Sequence, residues 1–243
     1  MLPAADIAAP WFAWLAANAV MAVACALQSA VGIGMALLAV PLLALIDPHF
    51  VPGPMLLAGT LVPLAAALRE RHAVDARNLG PALLGLITGT LAGALALSLL
   101  DPSGLGRVFG AMVLLAVAIS LSGIRLRPTR PALVTGSGIA GLMGTMAGIH
   151  GPPVALVFQN AQPAIARAMM GAIFVPAYLM SVAALAAFGL FGLPELRLAA
   201  VLLPGTIAGI LAAPLLIRRI DTRRMRLAIL SISAISAIAL LLK

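Results

Sequence analysis

The chain has 243 residues, 63% hydrophobic and 9% charged, with a net charge of +8. A soluble domain carries roughly 25% charged residues, so this chain lacks the charge to cover a water-facing surface, and its solvent is lipid. At ~20 apolar residues per crossing, its length holds roughly eight to ten spanning or half-spanning segments and leaves no stretch for a separate soluble domain.

The basic excess is almost all arginine: fourteen Arg and one Lys against seven acidic residues. On a soluble chain such a balance points to nucleic acid. Here the arginines fall in short breaks between apolar segments, where they set orientation, and nucleic acid is not an expected partner. The single cysteine, Cys25, excludes an internal disulfide framework and a cysteine-cluster metal site. The N-terminus carries Asp6 and no basic run, so no cleaved signal peptide is expected.

In chain order, apolar segments run over residues 10–46, 54–68, 79–100, 104–124, 131–160, 168–190, 198–217 and 225–242. Most match one crossing. The first and fifth are too long for one helix and short for two, and each has glycines at its middle: Gly32-Ile33-Gly34 in one, Gly148-Ile149-His150-Gly151-Pro152-Pro153 in the other. Each reads as a broken helix or a pair of short helices. Broken backbone survives at membrane depth only where protein or a watery cavity satisfies it.

Several features recur at nearly one offset. Gly32-Ile33 returns as Gly148-Ile149, and Gly89-Thr90-Leu91-Ala92-Gly93 as Gly205-Thr206-Ile207-Ala208-Gly209, both after 116 residues. Val62-Pro63 returns as Val175-Pro176, Pro48 as Pro163 and Asp101 as Asp221. The chain therefore divides into two homologous halves, 1–127 and 128–243.

Charge gives each half a direction. Arg69, Arg71, Arg77, Arg125, Arg127, Arg130, Arg167, Arg218, Arg219, Arg223, Arg224 and Arg226 fall on one face; Arg107, Arg197 and Lys243 fall on the other. The first set is expected in the cytoplasm. Segment 54–68 then ends at the cytoplasm while its counterpart 168–190 begins there, so the halves are expected to be inverted repeats of about five helical segments each. A parallel arrangement of four spans plus four is the alternative. The fold class is an all-α polytopic membrane protein with Gly-broken helices at its centre.

No acidic residue lies inside an apolar segment, which speaks against a conventional proton relay. No nucleophile–base set, metal-ligand spacing or phosphate loop is visible, so no enzyme, cofactor or metal is expected. The polar residues left at the breaks are Gln28 and Ser29 before the first, Thr145 before the second, His150 within it, and Gln159 and Asn160 after it. A restarting helix presents unpaired N–H groups and about half a positive charge, which suits an anion without any cationic side chain. Gly32, Gly34, Gly148 and Gly151 permit close approach, and Pro152 suits a first turn. These eleven residues are the expected substrate-binding set. The Gly-x3-Gly patterns at Gly85, Gly89 and Gly93, at Gly205 and Gly209, and at Gly144 and Gly148 are read as tight helix packing.

Gly32-Ile33-Gly34 with Pro41, the run Gly148–Leu156, and the paired Gly-Thr-x-Ala-Gly helices resemble the TauE/SafE family of bacterial membrane transporters. That family is also called the sulfite exporter or toluene-sulfonate uptake permease family. The resemblance covers nearly the whole chain. It departs at Met35 and Ala36, which stand where a glycine run is common, and at His150, which stands where a glycine is usual. It implies an inner-membrane permease for a small sulfur-containing anion such as sulfite or a sulfonate, working by alternating access around the two breaks. A membrane accessory or assembly subunit without transport of its own is the alternative. The expected partners are a small anionic substrate and the lipid bilayer, with homo-oligomerisation left open.

Overall fold

The computed structural model describes residues 11–31, 34–124, 126–217 and 222–242. Gly32, Ile33, Asp6, Arg125, Arg218, Arg219, Asp221 and Lys243, named above, lie outside them. The described residues form helices and their connections, with no strand among them. The helices are α1 (Trp11–Val31), α2 (Met35–Ile46), α3 (Gly53–Gly59), α4 (Leu61–Arg69), α5 (Ala76–Ser98), α6 (Leu105–Leu121), α7 (Arg130–Ala147), α8 (Gly151–Phe158), α9 (Pro163–Ala187), α10 (Leu193–Ile217) and α11 (Thr222–Leu241).

Five of them are long and apolar enough to cross a membrane: α1, α5, α9, α10 and α11. Their outward faces carry large exposed apolar side chains, among them Leu91, Leu95, Leu211, Leu215 and Ile235. A water-soluble protein does not display such a surface; in lipid it is the solvated one. The core is built around α2, nine of whose twelve residues are buried. At 1.5 Å per residue α2 is about 18 Å long, too short to cross a bilayer core of ~30 Å.

Both long apolar regions fold as hairpins. α8 turns back along α7, where a Cβ on Gly136 would meet Val157 and the Pro153 carbonyl. α2 likewise packs back on α1. Segment 54–68, read above as one helix, is instead two, α3 and α4, divided at Thr60. The reason is local. Pro63 has no N–H to donate to Gly59, and the Thr60 hydroxyl donates to the Leu56 carbonyl at 2.8 Å, competing with the helix's own bonding.

Two long seams hold the bundle together, and glycine makes both. Gly85, Gly89 and Gly93 of α5 lie directly on the α7 backbone at Val134, Gly138 and Leu142. Gly205 and Gly209 of α10 lie on the α1 backbone at Asn18 and Ala22. Numbering rises together along each seam, so the helices of each pair run parallel. α4 and α9 are antiparallel, Gly171 lying on Ala67 while Arg167 reaches Glu70. α6 and α11 are antiparallel too, with Gly110 on Ala237. Asn18 pins the α1–α10 seam, its Nδ2 donating to the Val201 carbonyl at 2.9 Å and its Oδ1 accepting from the Gly205 N–H at 2.7 Å. The Gly144 and Gly148 pair does not form a seam. Gly144 lies beneath the His150 imidazole, and Gly148 ends α7 with φ 79.

Candidate functional site

The two helix restarts are built differently. Gly34 caps α2 with φ 127, a left-handed conformation that side chains resist. The first-turn N–H groups of α2 have no acceptor within the helix. Gln28, in the last turn of α1, reaches forward so that its Oε1 accepts the Met35 N–H at 3.1 Å. Ala36 and Leu37 follow it and line the chamber described below. At the other break, Gly148 ends α7, its N–H donating to the Gly144 carbonyl at 2.6 Å, as a left-handed glycine does. α8 then restarts at Gly151 with Pro152 and Pro153 in its first turn. Prolines have no N–H, so α8 offers the Gly151 amide and a helix dipole but fewer donors than α2.

The two restarts face one small chamber of about 20 Å³, with Gln28, Gly34, Gly151, Pro152, Phe174 and Tyr178 in its walls. A Cβ added to Gly151 would meet nothing within 4 Å. Beside the chamber lies a vestibule of about 340 Å³ that shares Gln28, Met170 and Phe174 with it. The vestibule extends past Ser29 to a charged rim of Arg69, Glu70 and Arg167. Arg167 grips Glu70 Oε1 through Nη2 at 2.9 Å and Nε at 3.1 Å, joining the start of α9 to the end of α4. With two arginines and one glutamate, the rim is left with one excess positive charge.

Behind the chamber sits a fully buried polar cluster. The hydroxyls of Thr145 and Ser181 are 2.8 Å apart, and His150 Nε2 lies 3.2 Å from Ser181 Oγ. The imidazole rests on Gly144 and faces the ring of Tyr178 at 4.9 Å between centroids. The cluster ties the α7–α8 turn to α9, and a buried network of this kind rigidifies what it joins.

The expected site residues therefore divide. Gln28, Gly34, Gly151 and Pro152 line the tip chamber, and Ser29 lines the vestibule. His150 and Thr145 stand behind the chamber wall, and Gly148 shapes the turn, where an added Cβ would meet Met55. Gln159 and Asn160 are exposed and donate to the carbonyls of Ile124 and Leu126, in the linker that precedes α7. Gly32 lies outside the described residues. Sequence reasoning missed Met170, Phe174 and Tyr178 of the walls and Ser181 of the buried cluster. Tyr178 is the only tyrosine in the chain, and Ser181 interrupts the apolar run 168–190; those were the available signals. Arg69 and Arg167 carried only orientation in the sequence and prove, with Glu70, to line the vestibule.

Among family models, the one described as the sulfite exporter TauE/SafE matches residues 17–240. No curated protein and no solved structure matches the chain.

Proposed function

The chain belongs to the sulfite exporter TauE/SafE family, and from that premise we propose that it is a bacterial inner-membrane, multi-pass permease for a small sulfur-containing anion. The observation that carries this reading is the facing of both helix restarts, Gly34 on α2 and Gly151 on α8, onto one chamber beside a vestibule rimmed by Arg69 and Arg167. Helix starts stabilise negative charge without a cationic side chain. A sulfite or sulfonate headgroup presents oxygens that accept from such amides.

The two halves, 1–127 and 128–243, act in this reading as inverted repeats. The packing supports it. If α1 corresponds to α7 and α5 to α10, the parallel α5–α7 seam is the counterpart of the parallel α1–α10 seam. The antiparallel pairs α4–α9 and α6–α11 then map onto themselves, as the elements beside a twofold axis do. Rocking of one half against the other would expose the chamber alternately to the two sides. The vestibule opens at Arg69 and Arg167, on the arginine-rich and therefore cytoplasmic side. No chemical step on the substrate is invoked.

The test is uptake of sulfite and of short alkyl- and arylsulfonates into liposomes containing the purified chain. Flux that saturates with substrate concentration is the expected result. Flux that rises linearly without saturating would make the chain a channel. No flux of any sulfur oxyanion from folded protein would overturn the reading.

A further inference from the structure

The tip chamber, at about 20 Å³, holds at least one water molecule, which needs ~10–15 Å³. An alkyl- or arylsulfonate does not fit it in this state, whereas the vestibule beside it, at about 340 Å³, is ample. Three side chains belong to both chambers. Gln28 is committed to capping α2, and Met170 is a flexible chain that yields easily. Phe174 is the rigid one. Its ring is 3% exposed, lies nearly parallel to Tyr178 (14° between planes, centroids 6.2 Å apart) and is backed by His150 at 6.5 Å. With rings behind it, the open direction for it is the vestibule. α9 also carries Pro176 two residues further on. That proline leaves the Ala172 carbonyl without its helical donor, which is where helices bend.

We propose that the Phe174 ring is the partition between vestibule and tip chamber, and that its bulk sets the largest anion admitted to the helix restarts. The proposal rests on the permease reading for its substrate class, but the partition itself does not depend on transport. When the ring swings into the vestibule the two chambers become one, with the anion's oxygens at Gly34 and Gly151 and the rest of the molecule where the ring had been. A smaller side chain at 174 keeps the chambers joined and admits larger organic sulfonates.

A thiol placed at Gly151, where a Cβ has open space, reports on the partition directly. Purified Gly151→Cys protein is reacted with a small anionic methanethiosulfonate. The unsubstituted chain, whose only thiol is the buried Cys25, supplies the background. Labelling is expected to be slow with Phe174, faster in Phe174→Leu, and faster by about tenfold or more in Phe174→Ala, since thiol reactivity follows access; Phe174→Trp slows it. In liposomes the ratio of arylsulfonate to sulfite flux rises across the same series. Equal labelling rates throughout, in folded proteins, overturn the proposal. If Phe174→Ala does not fold, the order of the Leu, Phe and Trp forms decides. A labelling series in the expected order with no sulfur-anion flux would keep the partition and reject the permease reading.

Discussion

At the scale of single residues, the site is made of backbone and neutral side chains, and each position has a separable task. Gln28 caps α2 across the break. Removing an N-cap side chain costs about 0.5–2 kcal/mol, so Gln28→Ala is expected to weaken the apparent affinity for a sulfonate by roughly twofold to thirtyfold, each 1.4 kcal/mol being tenfold. Gln28→Glu places a negative charge at the same point and should weaken it further; concentration-dependent flux measures both. Ser181→Ala removes the shared partner of Thr145 and His150. Unpaired buried polar groups cost about 1–3 kcal/mol, so thermal unfolding should shift down by several degrees. The sequence pointed to Gln28 and Gly151 because both abut the glycine breaks, and both line the tip chamber. It misplaced Gln159 and Asn160 for a geometric reason. α8 has only eight residues, about 12 Å of rise, and turns back toward the linker from which α7 started. Two polar residues counted forward as deep therefore finish beside Ile124 and Leu126.

At the scale of elements, the glycine seams carry the assembly. A Cβ on Gly89 would sit 1.9 Å from the Gly138 carbonyl oxygen, and one on Gly205 would sit 2.3 Å from that of Asn18. Neither neighbour is the end of a flexible chain, so the helices must part. Gly89→Leu and Gly205→Leu are expected to lose about 2 kcal/mol or more, as overpacking does. Asn18→Ala should lose about 0.5–1.5 kcal/mol, the net worth of a hydrogen bond across the seam, since the Val201 carbonyl and Gly205 amide can still pair with each other along α10. Resistance to thermal unfolding in detergent checks all three. The paired Gly-Thr-x-Ala-Gly motifs made these seams legible in advance. Their partners were not, because local spacing does not say which helix an apolar stripe will meet. The division of segment 54–68 at Thr60 was missed for a related reason. A proline inside a spanning segment is often only a kink, and here the Thr60 hydroxyl and Gly59 turn it into a break.

At the scale of the whole molecule, two hairpins meet tip to tip, and the arginine-rich side carries the vestibule mouth. In the inverted arrangement, the α5–α6 connection at Ser103 and the end of α6 at Ser122 lie on opposite sides. Cysteines placed there should label with an impermeant reagent from opposite faces of the membrane, Ser103 from outside. Labelling of both from one face would contradict the crossing of α6 and the alternation built on it. Apolar lengths and glycine breaks made the all-helical fold and its two short hairpins readable from sequence. The chamber was not, because its walls come from α1, α2, α8 and α9, residues up to 150 positions apart that only the finished packing brings together.

The most direct test of the account is sulfur-anion flux through one glycine. Gly151 opens on the tip chamber, whereas Gly80, on the exposed start of α5, also has nothing within 4 Å of an added Cβ but lines no chamber described above. Wild type, Gly151→Leu and Gly80→Leu are reconstituted side by side, and sulfite and sulfonate uptake is measured. The account predicts that Gly80→Leu keeps wild-type flux within about twofold, while Gly151→Leu, folded to the same extent, loses about tenfold or more as its side chain fills the anion's place. Equal saturable flux through all three would contradict it.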